Sequence, residues 1–230
     1  MATWTRNKRP LKVSKTEWAI LAGLLFLCLI PSIAGSFRLT ELSAGAEITP
    51  DNARFFASPI PVAIHIVGSI LYSVIGAFQF IKGIRIWKPR FHRTLGQYLV
   101  FPAGLAVALS GLWMTQFYDL PEIDGDILYV ERWIFGGLMT LFLIFGYFAA
   151  RQGKFKQHGF WMMRAYAIGI GAGSQAFTIM FGILIFGTYD EFYRALYMGA
   201  GWVINMLVAE YIIYQQKSAK KRKSTVKFSH

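Results

Sequence analysis

Charged residues are scarce in this chain. They make up 16% of its 230 residues, against about 25% in ordinary soluble domains. That density is too low to cover a water-facing surface, while 55% of the residues are hydrophobic, so lipid is the expected solvent. Cysteine is scarcer still. The single Cys28 lies in an apolar run, which excludes an internal disulfide and any CxxC metal or redox motif. No nucleophile–base pair, phosphate-binding loop or dinucleotide fingerprint is present. A soluble-type enzyme mechanism therefore has no support, and whether the chain is an enzyme stays open. The length suits one domain with no separate soluble catalytic module.

What the sequence does have is long apolar runs. A bilayer core of about 30 Å needs about 20 apolar residues in helical form, and six stretches qualify: residues 18–37, 62–81, 98–117, 130–150, 161–187 and 195–214. The runs are continuous rather than alternating, which predicts helices and not the strands of a barrel. The expected fold is an all-α integral membrane protein, a bundle of six transmembrane helices.

The basic residues orient that bundle. Nineteen of the 24 Lys and Arg residues fall in four segments: the N-terminal tail, the loop after span two, the loop after span four and the C-terminal tail. In a six-span chain all four lie on one side. Ten of the twelve acids lie on the other side, the exceptions being Glu17 and Glu210. Because Lys and Arg are retained in the cytoplasm, both termini are expected inside. The net charge of +12 is then a matter of topology, and anionic lipid headgroups, not nucleic acid, are the expected partners of the run Lys220–Lys223. A cleaved signal peptide is the competing reading of span one; its apolar run is longer than a typical signal core. The expected organisation is a basic tail over 1–16, a membrane domain over 17–216 and a disordered basic tail over 217–230. The outer loop 38–61 is the longest. The cluster Asp119–Asp126 could hold a hard cation, but it lacks EF-hand spacing and reads as a solvated turn.

Polar side chains at membrane depth are candidate functional groups, because burying them in lipid is costly. In span two, His65, Ser69, Tyr72, Gly76 and Gln79 recur every three or four residues and share one helical face. In span five, Arg164, Gly171, Gln175, Thr178 and Gly182 form a second stripe, which would line a cavity if it faced the first. Span six adds Trp202, Asn205 and Glu210, the last placed to pair with Arg164 or Arg93. Helix-to-helix hydrogen bonding is the competing account of both stripes. Span four shows no such face.

Histidine is the sharpest chemical hint, since imidazole ligates haem or other metals and relays protons. His65 sits at the outer end of span two. His92 and His158 open spans three and five at the opposite end, roughly 20 Å away at 1.5 Å per residue. One metal or haem iron can therefore be shared only by His92 and His158. His65 alone could be a single ligand, a proton carrier or a quinone hydrogen-bond donor.

The pattern His65…Gly76…Gln79-Phe80, His92-Arg93-Thr-Leu-Gly96, His158…Trp161-Met-Met-Arg164 and Asn205…Ala209-Glu210 resembles the predicted membrane proteins catalogued as domain of unknown function 2306. The resemblance covers about residues 60–212. It implies a bacterial-type multi-helix membrane protein and no settled activity. Gln97, and Gln157-His158-Gly159, stand where the family pattern is often more basic.

Three functional readings follow. The first is a membrane redox protein binding haem b or a quinone, a small hydrophobic ligand, through His65, Tyr72, Gln79, His92, His158, Arg164, Gln175, Asn205 and Glu210. The second is a small transporter or permease, with the stripes lining a continuous path from His65 to Glu210. The third is a non-catalytic assembly or sensor subunit, with the stripes filled by packing. Oligomeric state is open.

Overall fold

A computed structural model describes residues 13–227, and every regular element among them is helical. The basic tail through Lys12 and residues 228–230, with His230, lie outside the described residues, as do the side chains of Lys220–Lys223. Seven long helices make up the bundle: α1 (Lys15–Ala44), α2 (Pro59–Gln79), α3 (Pro89–Phe117), α4 (Gly125–Arg151), α5 (Phe155–Gly169), α6 (Gly171–Phe186) and α7 (Glu191–Lys227). Five are long and apolar enough to cross a bilayer; α5 and α6 pass that test together but meet at a 46° bend. Their outer faces agree with lipid as the solvent: Leu184, Ile185 and Leu207 are 77%, 71% and 65% exposed, a surface water would not tolerate at this scale.

Expected span five is thus two helices. The break falls at Gly169-Ile170-Gly171, and each glycine is crowded by an aromatic ring. A Cβ on Gly169 would lie 2.5 Å from Tyr72 Cε1, and one on Gly171 would lie 2.4 Å from Trp202 Cδ1. Paired glycines lower the cost of a kink, and the rings packed against them explain why larger residues are missing there.

Other boundaries also differ from the hydropathy reading. Ser14 and Glu17 form a reciprocal capping box at the start of α1, satisfying two otherwise orphaned amides. The far carboxylate oxygen of Glu17 accepts from the Lys82 amide at 2.9 Å, so this acid pins α1 to the α2–α3 loop. At its other end α1 continues past Phe37 to Ala44 and stops at Gly45, whose φ of 65° is the left-handed conformation that glycine adopts at no steric cost. Leu39 and Leu42 in this extension pack under Val62, Ile66 and Tyr118. The outer loop is correspondingly shorter. It is folded around the buried Asn52, which accepts from the Thr49 amide at 2.7 Å and donates to the Glu47 carbonyl at 3.0 Å. Tyr118 donates to the Ser58 carbonyl at 2.6 Å, and burial pushes its phenol above the ordinary range. At the other terminus α7 runs on to Lys227, through residues expected to form a disordered tail from Lys217. Ala, Lys, Arg and Gln are good helix formers, and extending an existing helix avoids the cost of nucleation.

The short helix α5 is central: it touches α2, α3, α4, α6 and α7, while α1 closes the bundle against α2 and α6. Its Ala165, Tyr166, Ala167 and Ile168 are all buried. Small residues let backbones approach in lipid, where packing and not water exclusion drives association. Backbones approach closely between α1 and α6, where a Cβ on Gly173 would lie 2.1 Å from the Leu27 carbonyl oxygen. Backbone cannot rotate away as a side chain can, so Gly173→Ala is expected to cost about 1–3 kcal/mol. Denaturation by SDS titration of the purified protein would check it; an unchanged midpoint would mean that α1 yields freely.

Candidate functional site

The two polar stripes do not enclose a cavity together. On α2, Tyr72 is 2% exposed, and its ring lies 5.7 Å from that of Tyr166 on α5. Tyr166 donates to the Ser73 carbonyl at 2.6 Å and packs 4.9 Å from Phe80. A Cβ on Gly76 would come within 2.7 Å of the Tyr166 ring. Aromatic rings therefore occupy the space expected for a cavity. The second stripe is split by the bend and faces α7 instead. Gln175 donates to the Met198 carbonyl at 3.1 Å, Ser174 to Asn205 Oδ1 at 2.7 Å and Thr178 to the Tyr197 carbonyl at 2.6 Å. Asn205 in turn donates to the Ala167 carbonyl at 3.0 Å. The condition for a shared cavity, that the second stripe face the first, is not met: a seven-residue spacing across a 46° bend no longer marks one face.

His65 is engaged in the same kind of bonding. Its Nδ1 lies 3.1 Å from both the Val107 carbonyl and Ser110 Oγ on α3. Val107 is fifteen residues along α3 from His92, about 22 Å at helical rise. The structure thus keeps His65 apart from the other two histidines, as the sequence spacing requires.

Gln79, His92 and His158 gather at the basic end. Gln79 ends α2, and its Oε1 lies 3.5 Å from the position of a Cβ on Gly96 of α3. His92 lies in the first turn of α3, near Arg85 and His158. The Nδ1 of His158 lies 2.9 Å from the Gly146 carbonyl, which orients that ring. Gln79 Nε2 and His92 Nδ1 are buried and have no hydrogen-bond partner. Such orphan atoms cost about 1–3 kcal/mol each, and each is unusual enough in a folded protein to need an explanation. Between this pair and the middle of the bundle, α2 and α3 each contain one π-helical turn, Leu71–Ile75 and Gly96–Val100, and the two turns touch. π-turns are rare and are frequent at functional sites. Arg164 and Glu210, also at the basic end, form a two-pronged ion pair, with Nη2 donating to Oε2 at 2.8 Å and Nε donating to Oε1. The Arg164 guanidinium lies 4.9 Å over the Trp161 ring. Among the described residues, no three His, Cys, Asp or Glu side chains are grouped to hold a metal ion.

The sequence reading missed a network at the acidic end. Asp124, expected in a solvated turn, is 3% exposed. It accepts from Arg132 Nη2 at 2.7 Å and from Arg194 Nε at 2.6 Å, and Arg194 also donates to the Tyr189 hydroxyl. The turn before α4 reaches this position through Gly125, whose φ is 54°. The available signal was the spacing of seven and eight from Asp124 to Glu131 and Arg132, which puts all three near one face.

No curated protein and no solved structure shows significant similarity to this chain. A family model described as "Predicted membrane protein (DUF2306)" matches residues 62–213. That segment contains α2 from its first turn through most of α7, and with it the paired ends that hold Gln79, His92, His158, Arg164 and Glu210; the chain belongs to this predicted membrane protein family.

Proposed function

We propose that the chain is a membrane redox protein whose basic end binds a lipophilic carbonyl ligand of the quinone class. The observation that carries this reading is the buried, unpartnered pair Gln79 Nε2 and His92 Nδ1. An amide N–H and an imidazole N–H are both donors to a carbonyl oxygen, and a ligand accepting from them would remove two desolvation penalties. In this reading Gln79 orients the ligand carbonyl. His92 holds or releases the proton that accompanies reduction, as imidazole does in proton relays. His158, fixed by Gly146, lies behind it. Bound there, a quinone supplies coupled electron and proton transfer. An apolar groove of about 530 Å³ runs along α2 and α3, lined among others by Val67, Leu71, Tyr98 and Pro102, and offers a lipid-side surface for an isoprenoid tail. The basic side is taken as cytoplasmic, on the rule for Lys and Arg.

Haem b is the second reading. It is favoured by His158, because an imidazole whose Nδ1–H is held by a backbone carbonyl presents Nε2 to a metal; His92 would be the partner ligand. Tyr72, Tyr166 and Phe80 fill the space deeper in the bundle, which favours the smaller quinone headgroup.

The test is solvent extraction of protein purified in mild detergent, with absorbance spectra before and after reduction. Quinone is expected in the wild type, and Gln79→Leu is expected to retain it about tenfold less well, the worth of one good buried hydrogen bond. A Soret band would move the assignment to haem. A preparation with neither, unaffected in thermal stability by added quinone, would sink the redox reading.

A further inference from the structure

At the opposite end of the bundle, Glu131 lies six residues into α4 and points at α7. A Cβ on Gly199 of α7 would lie 2.3 Å from its Oε1, so the carboxyl rests against a position with no side chain. Its Oε2 is buried and has no hydrogen-bond partner. The neighbouring cations are engaged elsewhere: Arg132 Nη2 and Arg194 Nε both donate to Asp124. The remaining Nη1 of Arg132 is likewise buried without a partner. Other charged or titratable groups at this end of the bundle include Asp124, Asp126 and Tyr129 at the start of α4, Tyr189 and Asp190 just before α7, and Glu191, Tyr193 and Tyr197 in its first turns. From α3 nothing charged faces it, since Phe101–Phe117 contains no ionisable acid or base. A carboxylate held against a helix interface without a dedicated cation is costly at membrane depth, whereas a neutral carboxyl is not, and such residues mark proton pathways.

We propose that Glu131 is a proton-exchanging carboxyl group, a second site at the acidic end of the bundle that is independent of the ligand proposed for Gln79 and His92. The step is the addition of one proton to a carboxylate oxygen, with cleavage only of the O–H bond of the donating water or hydronium ion. The two Asp124 oxygens are each held by a guanidinium, which leaves those donors unavailable to Glu131. Gly199 lets α7 lie directly against the carboxyl group, whose Oε2 is buried.

Dicyclohexylcarbodiimide tests this directly, since it adds to protonated carboxyl groups in apolar surroundings and leaves a stable N-acylurea. The full-length protein in detergent is treated at mildly acidic and at alkaline pH and mapped by peptide mass spectrometry. Labelling is expected several-fold higher at Glu131 than at Asp124 or Glu210, to fall several-fold at alkaline pH, and to vanish in Glu131→Gln. Equal labelling across the acids, labelling at Glu131 that does not change with pH, or protection of Glu131 by sodium ions at acidic pH would each overturn the proposal. The wild-type map carries the test even if the Gln variant fails to fold.

Discussion

Asp124→Asn is expected to destabilise the bundle by about 3–5 kcal/mol, the usual cost of breaking a buried ion pair from one side. Asp124 neutralises two arginines that come from different helices, Arg132 on α4 and Arg194 on α7, at 2.7 and 2.6 Å. An asparagine keeps the shape but turns one oxygen into an amide that points donors at a guanidinium. Two partly buried cations then share one weak acceptor. The loss is larger than for a surface pair, which is worth at most about 1 kcal/mol, because the carboxylate side chain is only 4% exposed. The midpoint of an SDS titration, followed by helical circular dichroism, measures the effect. A double-mutant cycle with Arg194→Ala should recover part of it, since that variant removes one of the stranded charges. A midpoint indistinguishable from wild type in Asp124→Asn would show that the network does not hold α4 to α7.

Tyr72→Ala should rank next, at about 3 kcal/mol. The ring fits between two glycines: a Cβ on Gly104 would lie 2.7 Å from Tyr72 Cε2, and one on Gly169 would lie 2.5 Å from Cε1. Those glycines have no side chains with which to collapse into the hole, and residual cavity is what makes large-to-small changes expensive. In water the loss would be higher, about 3–5 kcal/mol for an aromatic. In lipid the unfolded reference is also apolar, so the transfer part falls away and the packing part remains. Tyr72→Phe should stay close to wild type in the same SDS titration, because ring volume and not the hydroxyl carries the effect. An Ala variant as stable as wild type would mean that the helices close over the space.

These two residues also show how unevenly the sequence speaks. Tyr72 was legible as a member of a stripe, because helical periodicity alone puts it beside Ser69 and Gly76. Whether that stripe faced a ligand or another helix was not legible, because the answer is the Tyr166 ring, ninety-four residues away. Asp124 was misread for the same reason. Four acids within eight residues around Pro121 (Asp119, Glu122, Asp124 and Asp126) look like a solvated turn, and only the return of α7 brings Arg194 to Asp124. The bend at Ile170 could be suspected from its flanking glycines, yet hydropathy counts composition and is blind to direction, so the run from Trp161 to Gly187 passed as one straight span.

By itself the sequence determined that the solvent is lipid, that the elements are helices, where most of them lie, and that His65 cannot share a ligand with His92 or His158. Each of these follows from composition, local periodicity or rise per residue, which need no knowledge of neighbours. The tertiary structure decided which polar groups are already satisfied and which are not. That is why Gln175, Asn205 and His65 are engaged in helix contacts, while Gln79, His92 and Glu131 carry the functional proposals. Hydrogen-bond satisfaction is a property of pairs brought together by packing, and no one-dimensional pattern records it.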